Sequence, residues 1–114
     1  MKKKANRVCI ITGGSQGIGL AVGKYLLKKN YKVAVLDVLF EKGIENYKKE
    51  IEVNKAVVIK ADVTSLNDIN NSFNEVLAKF GRIDILINNA GITIKKCFID
   101  ETELYTEEFV IKDS

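Results

Sequence analysis

The sequence predicts an α/β fold built on a doubly wound parallel sheet, and three observations predict it. Continuous apolar runs recur along the chain, at Val8–Ile11, Lys32–Asp37, Ala56–Ile59 and Ile83–Ile87. Segments with helical apolar spacing separate them. A glycine-rich run, Thr12-Gly13-Gly14-Ser15-Gln16-Gly17-Ile18-Gly19, follows the first. Strands that are apolar throughout, alternating with amphipathic helices, belong to parallel sheets covered on both faces.

Each element has its own justification. Val8–Ile11 reads as a buried strand that enters the glycine turn. Ile18, Val22, Tyr25 and Leu26 then form one apolar stripe of a helix, which Asn30 closes because Asn tolerates the left-handed conformation. Lys32–Asp37 is the second strand and ends on an acid. A helix over 41–53 places Ile44, Tyr47 and Ile51 on one face, with Asn54 to close it. Ala56–Ile59 is the third strand. The best periodicity follows, in Leu66, Ile69, Phe73, Val76, Leu77 and Phe80, with Thr64 or Ser65 to cap the start and Gly81 the end. Ile83–Ile87 is the fourth strand. The expected strand order is 3-2-1-4, which puts ligands at the carboxyl ends of strands 1 and 4, where the order reverses.

Composition narrows the functional classes. A chain of 114 residues suits one small domain, with residues 1–6 as a basic tail and 92–114 as an irregular or helical segment. The net charge of +3 is modest, and Lys2-Lys3-Lys4 reads as a solvated tail rather than a nucleic-acid arm. No apolar stretch is long enough for a transmembrane helix, so neither nucleic acid nor membrane is an expected partner. The two cysteines, Cys9 and Cys97, have no metal spacing and fit a reducing cytoplasm. Histidine is absent, which removes the commonest general base and metal ligand, and no metal site is expected.

The glycine run carries the chemistry. At the opening of a helix, unpaired backbone N–H groups and the macrodipole favour an anion such as the pyrophosphate of a dinucleotide. Gly13, Gly17 and Gly19 suit it, because a Cβ would block close approach and the turn calls for positive φ. Ser15 and Gln16 line the turn or stand in solvent. Asp37 lies about 20 residues past the glycines, where a carboxylate accepts hydrogen bonds from the adenosine ribose; its alternative is a helix cap. A 2′-phosphate beside Asp37 would meet like charge, and no Arg or Lys stands at positions 14–16 or 38 to offset it. NAD is therefore expected over NADP.

The spacing Gly-x-x-x-Gly-x-Gly, with Asp62-Val63 and Asn88-Asn89-Ala90-Gly91 downstream, resembles the short-chain dehydrogenase/reductase family over residues 7–109. The resemblance implies a Rossmann-like fold and hydride transfer between an alcohol or ketone and a nicotinamide. It implies that Ile18 presents its backbone to the pyrophosphate while its side chain packs inward. Asp62 would bind the adenine amino group with Val63 beside the ring, or else supply charge to the following helix. Asn88 and Asn89 would brace strand backbones, and Ala90 and Gly91 would lie near the ribose. The family's catalytic Ser and Tyr-x-x-x-Lys lie beyond Asn-Asn-Ala-Gly, and Ser114 precedes them. The chain is thus expected to be the truncated, cofactor-binding half of an oxidoreductase, with no catalytic residue of its own. The alternative is an inactive chain or pseudoenzyme that binds only a dinucleotide or a partner. Tyr25 to Lys29 also spells Tyr-x-x-x-Lys, but from the expected sheet-facing stripe it cannot reach the strand tips. Strand 4 is expected as an open sheet edge, able to pair with another copy.

Overall fold

The computed structural model describes residues 6–89 and the backbone of a strand at 107–110. Its elements are β1 (Val8–Thr12), α1 (Gly17–Lys28), β2 (Lys32–Asp37), α2 (Phe40–Asn46), α3 (Lys48–Glu52), β3 (Ala56–Lys60), α4 (Leu66–Phe80), β4 (Ile85–Asn88) and β5 (Glu107–Val110). The sheet is parallel, in the order β3-β2-β1-β4-β5. The expected order 3-2-1-4 is present within it.

Side chains alternate across the strands with period two. Val8, Ile10, Ala34, Leu36, Ile59 and Leu86 pack with Ile69, Phe73 and Val76 of α4. Cys9, Ile11, Val33, Val35, Val58 and Ile87 pack on the other face, with Leu27 of α1 and Tyr47. Both faces are therefore apolar, which is why the strands read as unbroken hydrophobic runs. The register aligns Thr12 with Leu36 and with Asn88, and Asp37 with Lys60. The carboxyl ends of four strands thus meet at one rim.

The asparagine caps form as expected. Asn30 has φ 70° and Asn54 φ 61°. The amides of Asn30 and Tyr31 donate to the carbonyls of Leu27 and Leu26, and those of Asn54 and Lys55 to Ile51 and Glu50. Each is a Schellman closure. Ser65, not Thr64, caps α4, its Oγ accepting from Asp68 N at 3.1 Å.

Several expectations are corrected. The buried face of α1 is Gly19, Gly23 and Leu27. Tyr25 is 58% exposed and Ile18 45% exposed, so neither faces inward. The small residues let α1 approach closely, and its larger neighbours Leu20, Val22 and Leu26 flank the contact. The single helix over 41–53 is two helices broken at Tyr47, whose φ −113° and ψ 20° turn its side chain wholly inward. Leu66 is 62% exposed at the first position of α4, outside its packed stripe. β4 is not a sheet edge, because β5 pairs with it in parallel from Ile85↔Glu107 to Asn88↔Val110. The segment expected to be irregular or helical therefore contains a strand. Its Phe109-Val110 pair favours extended backbone, and β4 offers a row of donors and acceptors to join.

Candidate functional site

The rim is built around the turn after β1. Gly13 N donates to Leu36 O at 2.8 Å, extending the β1–β2 ladder by one residue. Gly13 then adopts φ 68° and Gly17 φ 61°, conformations that cost other residues roughly 1–2 kcal/mol. A Cβ on Gly17 would touch nothing within 4 Å, so open space lies beside this position. A Cβ on Gly19 would come within 2.5 Å of Gly13 O and 2.7 Å of Asn89 Nδ2, so only glycine lets the helix start under the turn.

α1 opens without compensation for its dipole. Gln16 takes the N-cap position with no side-chain cap, and no acid stands in the first turn. The amides of Gly17, Ile18 and Gly19 precede the first intrahelical bond, Leu20 N to Gln16 O at 3.2 Å. Three donors and the positive end of the helix are left together.

The flanking polar groups are tied to the turn. Asp37, buried, accepts from Ser15 N at 3.0 Å through Oδ2 and from Leu39 N at 3.1 Å through Oδ1. Asn89 Nδ2 donates to Gly13 O at 2.9 Å, and Thr12 Oγ1 donates to Asn88 Oδ1 at 3.1 Å. Asn46 Nδ2 donates to Ser15 O and the Tyr47 hydroxyl to Gly14 O, both at 2.8 Å. Burial, with Glu50 nearby, pushes the Tyr47 phenol well above its usual range and keeps it a donor. Burial likewise pushes the Cys9 thiol up to about 12.

Three buried side-chain atoms lack a partner among the described residues: Ser15 Oγ, Asn88 Nδ2 and Asn89 Oδ1. Such an atom costs about 1–3 kcal/mol. All three belong to the turn or to the end of β4, so unmet hydrogen-bonding capacity is concentrated at this rim.

The structure thus joins Gly13, Ser15, Asp37 and Asn89 through hydrogen bonds, next to Gly17, Ile18 and Gly19. Ser15 is buried, whereas Gln16 is exposed. Asp62 and Val63 follow β3 at the same rim, but their hydrogen bonds run to the start of α4. Asp62 Oδ1 accepts from Thr64 Oγ1 at 2.6 Å and Thr64 N at 2.9 Å, which holds its carboxyl below the usual range. Asp62 N donates to Asp68 Oδ2. Val63 packs half-buried against the α4 side of the core. Ala90 and Gly91 lie outside the described residues. Asn46 and Tyr47 were missed by sequence reasoning, because their acceptors are backbone carbonyls more than 30 residues away, which no local pattern marks. Among the described residues no group of three acidic, Cys or His side chains could hold a metal, and no helix is long and apolar enough to cross a membrane.

Comparison with known proteins agrees with this architecture. A family model described as short chain dehydrogenase matches residues 7–111. Human 15-hydroxyprostaglandin dehydrogenase [NAD(+)] is 38% identical over 93 residues, covering 79% of this chain and 35% of that protein. Carbonyl reductase family member 4 of Xenopus laevis is 38% identical over 89 residues, covering 77% of this chain and 36% of that one. The crystal structure of a 3-ketoacyl-(acyl-carrier-protein) reductase from Brucella melitensis complexed with NADH superposes with a TM-score of 0.69 at 32% identity, covering 75% of this chain and 34% of that one. The chain spans about a third of the length of the curated relatives it matches.

Proposed function

We propose that this chain, which belongs to the short-chain dehydrogenase family, is the NAD-binding half of an oxidoreductase acting on a secondary alcohol or ketone. The observation that carries the reading is the uncompensated start of α1, where the amides of Gly17, Ile18 and Gly19 precede the first intrahelical bond, at a rim that holds three buried polar atoms without a partner among the described residues. Those residues fit a dinucleotide. The amides of Gly17, Ile18 and Gly19 would take the diphosphate, and Ser15 Oγ would supply a further donor. Asp37, beyond holding the turn, would receive the adenosine ribose hydroxyls on its remaining lone pairs. Asp62 keeps Oδ2 for the adenine amino group, with Val63 beside the ring, and Asn89, Ala90 and Gly91 would approach the second ribose. When bound, the nicotinamide supplies the hydride acceptor or donor.

Preference for NAD follows from charge. A 2′-phosphate at Asp37 would cost roughly 1–4 kcal/mol, and the exposed neighbours Val38 and Leu39 offer no cation. A relative whose name specifies NAD(+) and a similar structure complexed with NADH support this reading. The free, buried Cys9 supports a reducing cytoplasm as the compartment.

Calorimetry on the chain tests it. NAD should bind, and NADP should bind at least fivefold more weakly, the lower end of that ~1 kcal/mol penalty. Gly17→Asn, which tolerates the left-handed backbone but fills the open space, should abolish binding. Undiminished affinity in that variant would remove the site assignment, and equal affinity for NADP would remove the cofactor preference.

A second reading, in which this polypeptide binds the cofactor without turnover, is favoured by the three tyrosines among the described residues. Tyr25 lies exposed near the far end of α1, with Lys29 over its ring, and Tyr31 precedes β2 at the opposite end of the sheet. Tyr47 is buried beneath the turn as a donor to Gly14 O. None of these stands where it could exchange a proton with a carbonyl at the rim, and general acid–base help is worth ~10²–10⁴-fold. Reduction of NAD by the isolated chain with any alcohol would sink this second reading.

A further inference from the structure

A turn can present N–H groups to an anion only if its own carbonyl oxygens are kept from facing the same charge. Here the carbonyls of Gly13, Gly14 and Ser15 are each captured by a side chain from another part of the fold: Asn89, Tyr47 and Asn46. The peptide joining Gly14 to Ser15 is held at both ends, its C=O by Tyr47 and its N–H by Asp37. We propose that Asn46 and Tyr47 are positioning residues for the cofactor turn, holding its carbonyls away from the bound diphosphate. This rests on the reading that the turn binds a dinucleotide.

The surroundings of Tyr47 are arranged for its hydroxyl as well as its ring. The break between α2 and α3 falls at this residue and sends the side chain inward, where it is fully buried. Gly23 of α1 lies against it. A Cβ there would collide with the hydroxyl and stand 3.1 Å from Cζ, so the absent side chain on α1 makes room for the phenol oxygen. Lys24, paired with Glu50 of α3 at 3.0 Å, lies over the Tyr47 ring at 5.2 Å and closes the pocket. Asn46 reaches Ser15 from the last residue of α2, beside Gly43. A Cβ at Gly43 would come within 2.7 Å of Ser15 Oγ, so a second glycine brings α2 close enough for the amide to reach. An apolar side chain at position 47 would fill the core equally well but leave Gly14 O without its donor.

Calorimetric titration of NAD and ADP-ribose, paired with thermal melting, tests the assignment on the chain and three variants. Tyr47→Phe and Asn46→Ala should each weaken both ligands about three- to tenfold, the worth of one hydrogen bond. Tyr47→Phe combined with Gly23→Ala separates position from stability, because the methyl adds helix propensity to α1 but still meets the ring 3.1 Å from Cζ once the hydroxyl is gone. Its melting temperature should move away from that of Tyr47→Phe, in either direction, while its affinity stays at the Tyr47→Phe level. Affinity that follows the melting temperature would reduce Tyr47 to a packing role and overturn the proposal. Unchanged affinity in Tyr47→Phe and Asn46→Ala, with the parent chain binding normally, would overturn it while leaving the dinucleotide reading intact. Failure of the parent chain to bind either ligand would remove both.

Discussion

Thr64 and Asp62 show how a single hydroxyl favours the ionised form of a rim carboxylate. The Thr64 hydroxyl, and then its amide, donate to Asp62 Oδ1 and hold the carboxyl below its ordinary value. A carboxyl shifted downward contributes stability above its unfolded pKa, and that contribution disappears as pH falls through the folded value. Thr64→Ala should therefore raise the Asp62 pKa toward the usual carboxylate value of about 3.9 in an NMR titration. A titration curve that does not move would mean that the backbone amide at position 64, not the hydroxyl, sets the shift. The same residue shows how sequence reasoning can mislead locally. Thr64 and Ser65 were equal candidates to cap α4, yet Thr64 Oγ1 is engaged by Asp62, and the cap falls to Ser65.

At the scale of elements, the α4 cap can be tested directly. Ser65 Oγ satisfies Asp68 N, and Gly81 at φ 82° closes the far end, with Gly81 N donating to Leu77 O at 2.8 Å. Ser65→Ala should destabilise the chain by about 0.5–2 kcal/mol in urea unfolding, with a smaller loss of NAD affinity, since the cap touches nothing in the glycine turn and meets the rim only through Asp62. A loss of affinity as large as the loss of stability would show that α4 sets the adenine end of the site. Helix α4 was legible in the sequence because large apolar side chains mark its face. Helix α1 was legible in position but not in orientation. Its buried face is made of Gly19 and Gly23, which carry no hydrophobic signal, so the stripe was drawn through the exposed Ile18 and Tyr25 instead. The helix break at Tyr47 was hidden for a related reason, since a buried phenol donating to a distant carbonyl looks in sequence like another core aromatic.

At the scale of the molecule, the glycine turn is a junction rather than a loop hung on one strand. Its backbone is bonded to Leu36 and Asp37 at the end of β2, to Asn46 and Tyr47 between α2 and α3, and to Asn89 after β4. The strand order was readable from alternation, and the rim from where the strands end. The bracing across the rim was not readable, because every one of these bonds joins residues at least 22 apart. A ligand that stabilises such a junction stabilises the strands that meet in it. NAD at a hundred times its Kd should add about 2.7 kcal/mol to the folded state. For a domain of this size each kcal/mol corresponds to roughly 4–8 °C, so the melting temperature should rise by about 10–20 °C. Far-ultraviolet circular dichroism, which reports backbone, and tyrosine absorbance, in which buried Tyr47 contributes, should shift together. A tyrosine transition that rises with NAD while the backbone transition stays in place would show the turn melting as a local unit, uncoupled from the sheet.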